Sequence, residues 1–127
     1  HKLCINASMN TTGVLAGGRS NPDMVRDPLL RAHIEACMNE VMDAAPPIFG
    51  CSLPFASPER ILQSTERNTS SSKSSMVQDW EAGRALELDA ILGNAIRIAE
   101  AHGAHMPRLQ SMHALLQSAV AMRDAAT

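Results

Sequence analysis

An all-α domain is what this sequence predicts, and three observations predict it. Apolar residues recur at three- and four-residue intervals along much of the chain, and no stretch alternates apolar with polar residues as a half-buried strand would. A capping residue stands directly before proline at Asn21-Pro22, Asp27-Pro28 and Ser57-Pro58, the arrangement that opens a helix. Only 2% of the residues are aromatic, so the core must be filled by aliphatic side chains and the eight methionines, which suits helix-on-helix packing. With 127 residues the chain fits one domain, spanning 1–127, of six or seven helices.

The first helix is expected to run from the start to about Ala16, burying Leu3, Ala7, Met9 and Val14, and to end where Gly17-Gly18 permits positive φ. Asn21 caps a short second helix. From Pro28 the set Leu29, Leu30, Ile34, Cys37, Met38, Val41 and Met42 marks an amphipathic helix to about Ala45, which Pro46-Pro47 should stop. Residues 46–57 then read as a loop. Ser57-Pro58 opens a helix to about Arg67, and Asn68 to Ser72 form a polar loop without periodicity. Ser74 or Ser75 caps a helix to about Ala82, broken near Gly83-Arg84. Another helix follows from about Leu86 to His102, with Leu88, Ile91, Leu92, Ala95, Ile96 and Ala99 buried and Gly103 ending it. Beyond Pro107 a last helix carries Leu109, Met112, Leu115, Leu116, Val120 and Met122.

Composition excludes several classes of function. A net charge of −2 offers no basic field for nucleic acid. Cys4, Cys37 and Cys51 are scattered without CxxC spacing, which predicts reduced, buried thiols and a cytoplasmic setting. No apolar run approaches the roughly 18 residues of a membrane span. His102, His105 and His113 straddle a helix end and a proline with no carboxylate or cysteine to complete a set, so no metal site is expected.

One stretch invites a chemical reading. Lys2, Asn6 and Asn10 recur every four residues, and on an α-helix each step of four advances about 400°, so the three share one face. They form either a polar stripe facing water or a row that recognises carbonyl and hydroxyl groups, since a cation and neutral amides can donate and accept there. Ser75 and Glu87 read structurally as a helix cap and a first-turn glutamate. On an unbroken helix they would stand about 18 Å apart, and the glycine at 83 supplies the break that lets Glu87 fold back. Asp79 and Arg84 are expected to pair across that break.

The row Lys2-x3-Asn6-x3-Asn10, followed by Ser74-Ser75-Met76-Val77-Gln78-Asp79, Gly83-Arg84, Glu87-Leu88-Asp89, Gly93 and His102-Gly103 through Pro107, resembles the carboxy-terminal domain of the ketopantoate reductase (2-dehydropantoate 2-reductase) family. More remotely it is similar to the C-terminal helical domain of 6-phosphogluconate dehydrogenase-like enzymes. Thr11 stands where many members of the family have proline, and residues 46–73 match only loosely.

The resemblance implies an NADPH-dependent reduction of 2-dehydropantoate to pantoate in pantothenate synthesis. It makes Lys2 the catalytic proton donor and Glu87 the acidic residue that orients substrate or lysine, with a contact to the cofactor. Asn6, Asn10 and Ser75 become substrate-binding residues. It implies NADP as cofactor, a 2-keto acid as substrate, the protein's own amino-terminal Rossmann domain as partner, and a homodimer as a further possibility. No Gly-x-Gly-x-x-Gly turn between strand and helix occurs, and the chain opens inside a helical pattern, so the nucleotide-binding half is expected upstream and this piece alone is expected to be inactive. Two alternatives stay open: a related reductase of another 2-keto acid, and a helical dimerisation module without chemistry.

Overall fold

The structure, a computed structural model, describes residues 5–49 and 57–126, with their side chains except at positions 48 and 49. It opens on a π-helical stretch, π1 (Ile5–Asn10), that runs into α1 (Thr11–Leu15). Then come α2 (Asn21–Arg26), α3 (Pro28–Phe49), α4 (Pro58–Arg67) and α5 (Ser75–Glu81). A second π-helical stretch, π2 (Asp89–Gly93), leads into α6 (Asn94–Ala101), and α7 (Pro107–Ala125) closes the fold. Among the described residues there is no strand, and the fold is all-α with seven α-helices.

Local chemistry sets most of the boundaries. The Ser57 and Ser74 hydroxyls accept the N–H groups of Arg60 and Val77 at the starts of α4 and α5. Asp27 accepts the N–H groups of Leu29 and Leu30 at the start of α3. The Leu30 N–H is the largest cause holding the Asp27 carboxyl below its usual range, against the cost of desolvation and with help from Arg19 and the Leu29 N–H. The cap of α2 is Ser20 and not Asn21: the Ser20 hydroxyl accepts the Asp23 N–H, which moves Asn21 into the helix and frees its amide.

Two other boundaries depart from the pattern in the sequence. Pro46 and Pro47 lie inside α3, whose end is Phe49. Both are exposed, beside exposed Asp43, so water can serve carbonyl groups that a proline ring deprives of an N–H partner in the last turn. The helix expected from Leu86 instead begins in π2. Arg123 of α7 stacks over Trp80 and donates to the carbonyl oxygens of Trp80 and Arg84, which holds the chain after α5 in a turn and delays the next helix.

Helix α3 is the hub, packing against π1, α2, α4, α6 and α7. Ile34, Cys37 and Met38 of α3 are fully buried, as are Leu109 and Leu116 of α7 and Leu92 of π2. Leu29, Leu115 and Met122 satisfy the helical periodicity yet are 84%, 62% and 72% exposed, so they lie outside this core. Cys37 is buried as a small apolar residue, while Cys4, Cys51 and Leu3 fall outside the described residues.

Candidate active site

Two short helices come together because one residue lacks a side chain. Gly13 of α1 faces Val77 of α5, and a Cβ at position 13 would sit 3.0 Å from Val77 Cγ2 and 3.2 Å from the Arg19 carbonyl oxygen. This close approach brings the end of π1 beside the start of α5. Between them and the segment leading into π2 lies a cavity of about 240 Å³, open on one side. Asn6, Asn10, Ser75, Asp79 and Glu87 supply its polar lining, and Met76, Leu86 and Ile91 its apolar lining.

The amides are ordered before any ligand arrives. Asn10 Nδ2 donates to Asn6 Oδ1 at 3.0 Å, and Asn21 Nδ2 donates to Asn10 Oδ1 at 3.5 Å. With that assignment the donors run in one direction, from Asn21 through Asn10 to Asn6, and the Asn6 Nδ2 group at the end is left to donate into the cavity. Asn6 and Asn10 sit in a π-helical turn, whose i→i+5 bonding is wider than the α-helical turn assumed from the spacing. A step of four still keeps the two amides on one face, as their hydrogen bond requires.

Ser74 takes the capping role at α5, so the Ser75 hydroxyl is not consumed by the helix start and lines the cavity. Glu87 arrives by the turn at Gly83, whose φ of +74° suits glycine. Two bonds tie that turn: the Arg84 N–H donates to the Asp79 carbonyl oxygen, and Arg84 Nε pairs with Asp79 Oδ1 at 2.8 Å. The pairing across the break is the one expected from the sequence. The Glu87 carbonyl oxygen accepts the Ile91 N–H, and Glu87 stands two residues before π2, ahead of its cap Leu88 and outside the first turn.

Four of the five residues singled out in the sequence, Asn6, Asn10, Ser75 and Glu87, thus line one cavity although 81 positions separate the first from the last. Lys2 lies outside the described residues. Two contributors escaped the sequence reading. Asn21 had been given to a helix cap, and Arg123 carries no motif; its value lies in reaching back across the chain to Trp80 and Arg84.

The cavity admits a small polar molecule and excludes a large one. Its volume falls below the roughly 300–1,000 Å³ of sites for drug-sized ligands, so a dinucleotide does not fit inside it. A lining that combines amide donors and a hydroxyl with aliphatic groups suits a short oxygen-rich molecule with a branched carbon skeleton. Asp79 is neutralised by Arg84, whereas Glu87 adds a carboxylate, so an anionic ligand here requires a further cation. His102, His105 and His113 do not gather: His113 faces Asp89 at 3.3 Å, and among the described residues no three His, Cys, Asp or Glu side chains form a group able to hold a metal. No described helix is long and apolar enough to cross a membrane.

The comparisons with known proteins place the fold. Residues 1–120 match the family model described as ketopantoate reductase PanE/ApbA C terminal. The fold superposes on a 2-dehydropantoate 2-reductase from Methylococcus capsulatus with a TM-score of 0.86 and 31% identity, covering 96% of this chain and 41% of that one. For the putative ketopantoate reductase from Ralstonia solanacearum MolK2 the values are 0.83 and 28%, covering 97% and 36%. For the 2-dehydropantoate 2-reductase from Geobacter metallireducens GS-15 they are 0.81 and 26%, covering 93% and 39%. No curated protein sequence matches the chain. The chain therefore spans about two fifths of the length of the solved structures it matches. On the family match over nearly its whole length, and on the all-α fold it shares with these enzymes, the chain belongs to the ketopantoate reductase family, as the C-terminal domain.

Proposed function

We propose that this chain is the substrate-holding domain of an NADPH-dependent 2-dehydropantoate 2-reductase, acting in pantothenate synthesis in the cytoplasm. The observation that carries the reading is the convergence of Asn6, Asn10, Ser75 and Glu87 on one small cavity. A helical association module has no need of that arrangement.

In this reading the substrate's keto and hydroxyl oxygens accept from the Asn6 and Asn10 amides, and Ser75 binds its carboxylate. The apolar lining of Met76, Leu86 and Ile91 takes the branched carbons. Lys2, placed one further step of four before Asn6, supplies the missing cation: it steadies the negative charge that develops on the keto oxygen and then protonates it. Glu87 orients the lysine or the substrate and would contribute a contact to the cofactor. When bound by a Rossmann domain outside this chain, NADPH supplies the hydride to the keto carbon. The present residues fit beside such a cofactor and not around it, since the cavity is too small to enclose one.

The test is 2-dehydropantoate-dependent NADPH oxidation by the complete protein that carries this chain. The parent enzyme should turn over, and Lys2→Ala should lower kcat by about 10²–10⁴-fold, the usual contribution of a positioned acid. An unaffected rate in Lys2→Ala removes the role given to the lysine. Turnover of some other 2-keto acid in place of 2-dehydropantoate would keep the chemistry and change the substrate.

A further inference from the structure

Glu87 is the cavity residue that its own element secures least. It stands in the irregular connector between α5 and π2, and among the described residues its carboxylate has no hydrogen-bond or ion-pair partner. Its place at the cavity therefore depends on where the main chain runs. Resting on the role given to Glu87 in the proposed function, we infer that Arg123 of α7 is a positioning residue for the reaction: it clamps the start of this connector and so sets Glu87 at the substrate.

The guanidinium holds both sides of the reversal at Gly83. Nη1 donates to the Trp80 carbonyl oxygen at 3.3 Å, before the turn, and Nη2 to the Arg84 carbonyl oxygen at 3.0 Å, after it. Cζ lies 4.8 Å from the centroid of the Trp80 ring, so the indole face supports the charged group while it bonds. Nε donates to Asp124 at 3.2 Å, which leaves the two Nη groups to the carbonyls. Only 17% of the Arg123 side chain is exposed, so these charge-assisted bonds are partly shielded from water. A lysine lacks the planar fork that stacks on a ring and serves two acceptors at once.

Packing behind the connector does not replace the clamp. An opening of about 360 Å³ separates Leu86 and Leu88 from Val120 and Ala121 of α7, and Leu86 lines both this opening and the cavity that holds Glu87. The connector is thus a bridge with space on either side, anchored at one end by buried Leu88 and at the other by Arg84. Asp79 closes the turn upon α5, a helix of seven residues; Arg123 joins it to α7, a helix of nineteen. Glu87 follows Arg84 by three residues, so a shift of the Arg84 carbonyl carries Glu87 with it. A displacement of about 1 Å in a reacting constellation can cost about 10²-fold in rate.

The test uses the complete protein that carries this chain, with Arg123→Lys and Glu87→Gln made singly and together. Arg123→Lys should lower kcat for 2-dehydropantoate reduction about tenfold or more. In the Glu87→Gln background the same substitution should change kcat less than about twofold, because the group it acts through is gone. Equal losses in the two backgrounds, or no loss in the first, overturn the role. Leu116→Ala destabilises the same helix by emptying core volume and should leave kcat within about twofold for the folded fraction. A fall in kcat there as large as in Arg123→Lys would reduce the arginine to general support and overturn positioning.

Hydrogen exchange reads the clamp without turnover. In Arg123→Lys the amides of residues 84–91 should exchange about tenfold faster, while those of residues 34–41 in α3 keep the parent rate. Unchanged exchange over 84–91 overturns the clamp. A parent protein that does not reduce 2-dehydropantoate counts against the reductase reading alone, and the exchange rates then decide whether Arg123 holds the connector.

Discussion

The contact between α3 and α7 and the wall of the candidate-site cavity are built by opposite means. The first joins two long helices through fully buried aliphatic and sulfur side chains. Glu40 of α3 fixes their register by accepting the N–H groups of Arg108 and Leu109 at the exposed start of α7. The second is assembled from a π-helical turn, two helices of five and seven residues and an irregular connector. None of these pieces is long enough to be stable alone. The difference teaches that the position of the site is borrowed: its side chains sit on weak elements, and stronger ones hold those elements in place.

Breaking the strong region should therefore cost stability without touching the site's chemistry. Leu116 of α7 is fully buried, and Leu116→Ala should lower unfolding stability by about 2–5 kcal/mol. Urea denaturation measures the loss. On the function proposed above, the KM of the complete protein for 2-dehydropantoate should stay within twofold for the folded fraction, and a large rise would show that the two regions are not separable in this way.

Gly13 tests the seam between them. A methyl group there meets Val77 and the Arg19 carbonyl within 3.2 Å, and backbone does not yield as a flexible side-chain tip does. Gly13→Ala should cost about 1–3 kcal/mol by overpacking. Because the same contact sets Asn10 beside Ser75, KM should rise as well. Lost stability with unchanged KM would mean that the cavity does not depend on this approach.

How much of this could be read from the sequence follows the same division. Periodicity and caps located the long helices, because burial of one face and a proline after a cap are local signals, as at Asp27-Pro28 and Ser57-Pro58. The candidate site was readable only where a motif carried it: Asn6, Asn10, Ser75 and Glu87. The supports were not. Arg123 reaches the carbonyl groups of Trp80 and Arg84 from 43 and 39 positions away, and Glu40 caps a helix that begins 67 positions later. Nothing in the pattern around either residue points there. Pro46-Pro47 misled for a related reason: a proline pair disfavours helix by crowding the preceding turn and removing two N–H donors, but at the exposed end of α3 water can take the orphaned carbonyl groups and the helix runs on to Phe49.

Adjacent serines sharpen the comparison at smaller scale, since sequence alone left open which of the two capped α5. Ser74→Ala removes the hydroxyl that accepts the Val77 N–H and should cost about 1 kcal/mol in a denaturant titration. Ser75→Ala should leave stability within about 0.5 kcal/mol, as exposed positions usually do, yet raise KM. If the two variants exchange phenotypes, Ser75 is the cap and its place in the cavity wall is incidental.

The smallest expected effect belongs again to the strong region and is a slope with pH. Desolvation lowers the pKa of His33 below its ordinary 6.5, the Arg108 guanidinium lowers it further, and Glu40 opposes both. In the unfolded chain the imidazole gains its proton near 6.5, while in the folded chain it does so only at lower pH. Between those two values the unfolded state binds more protons, so stability falls as pH falls; above 6.5 the group contributes no slope. His33→Gln should flatten the stability profile just below pH 6.5 and leave it unchanged at pH 8. Asp27, whose carboxyl is held below its ordinary 3.8 chiefly by the Leu30 N–H, acts in a more acid window: its contribution is present above 3.8 and lost as pH drops through its folded value. The two windows are therefore separable in one titration, and a slope near pH 6 that persists in His33→Gln would assign it to another histidine.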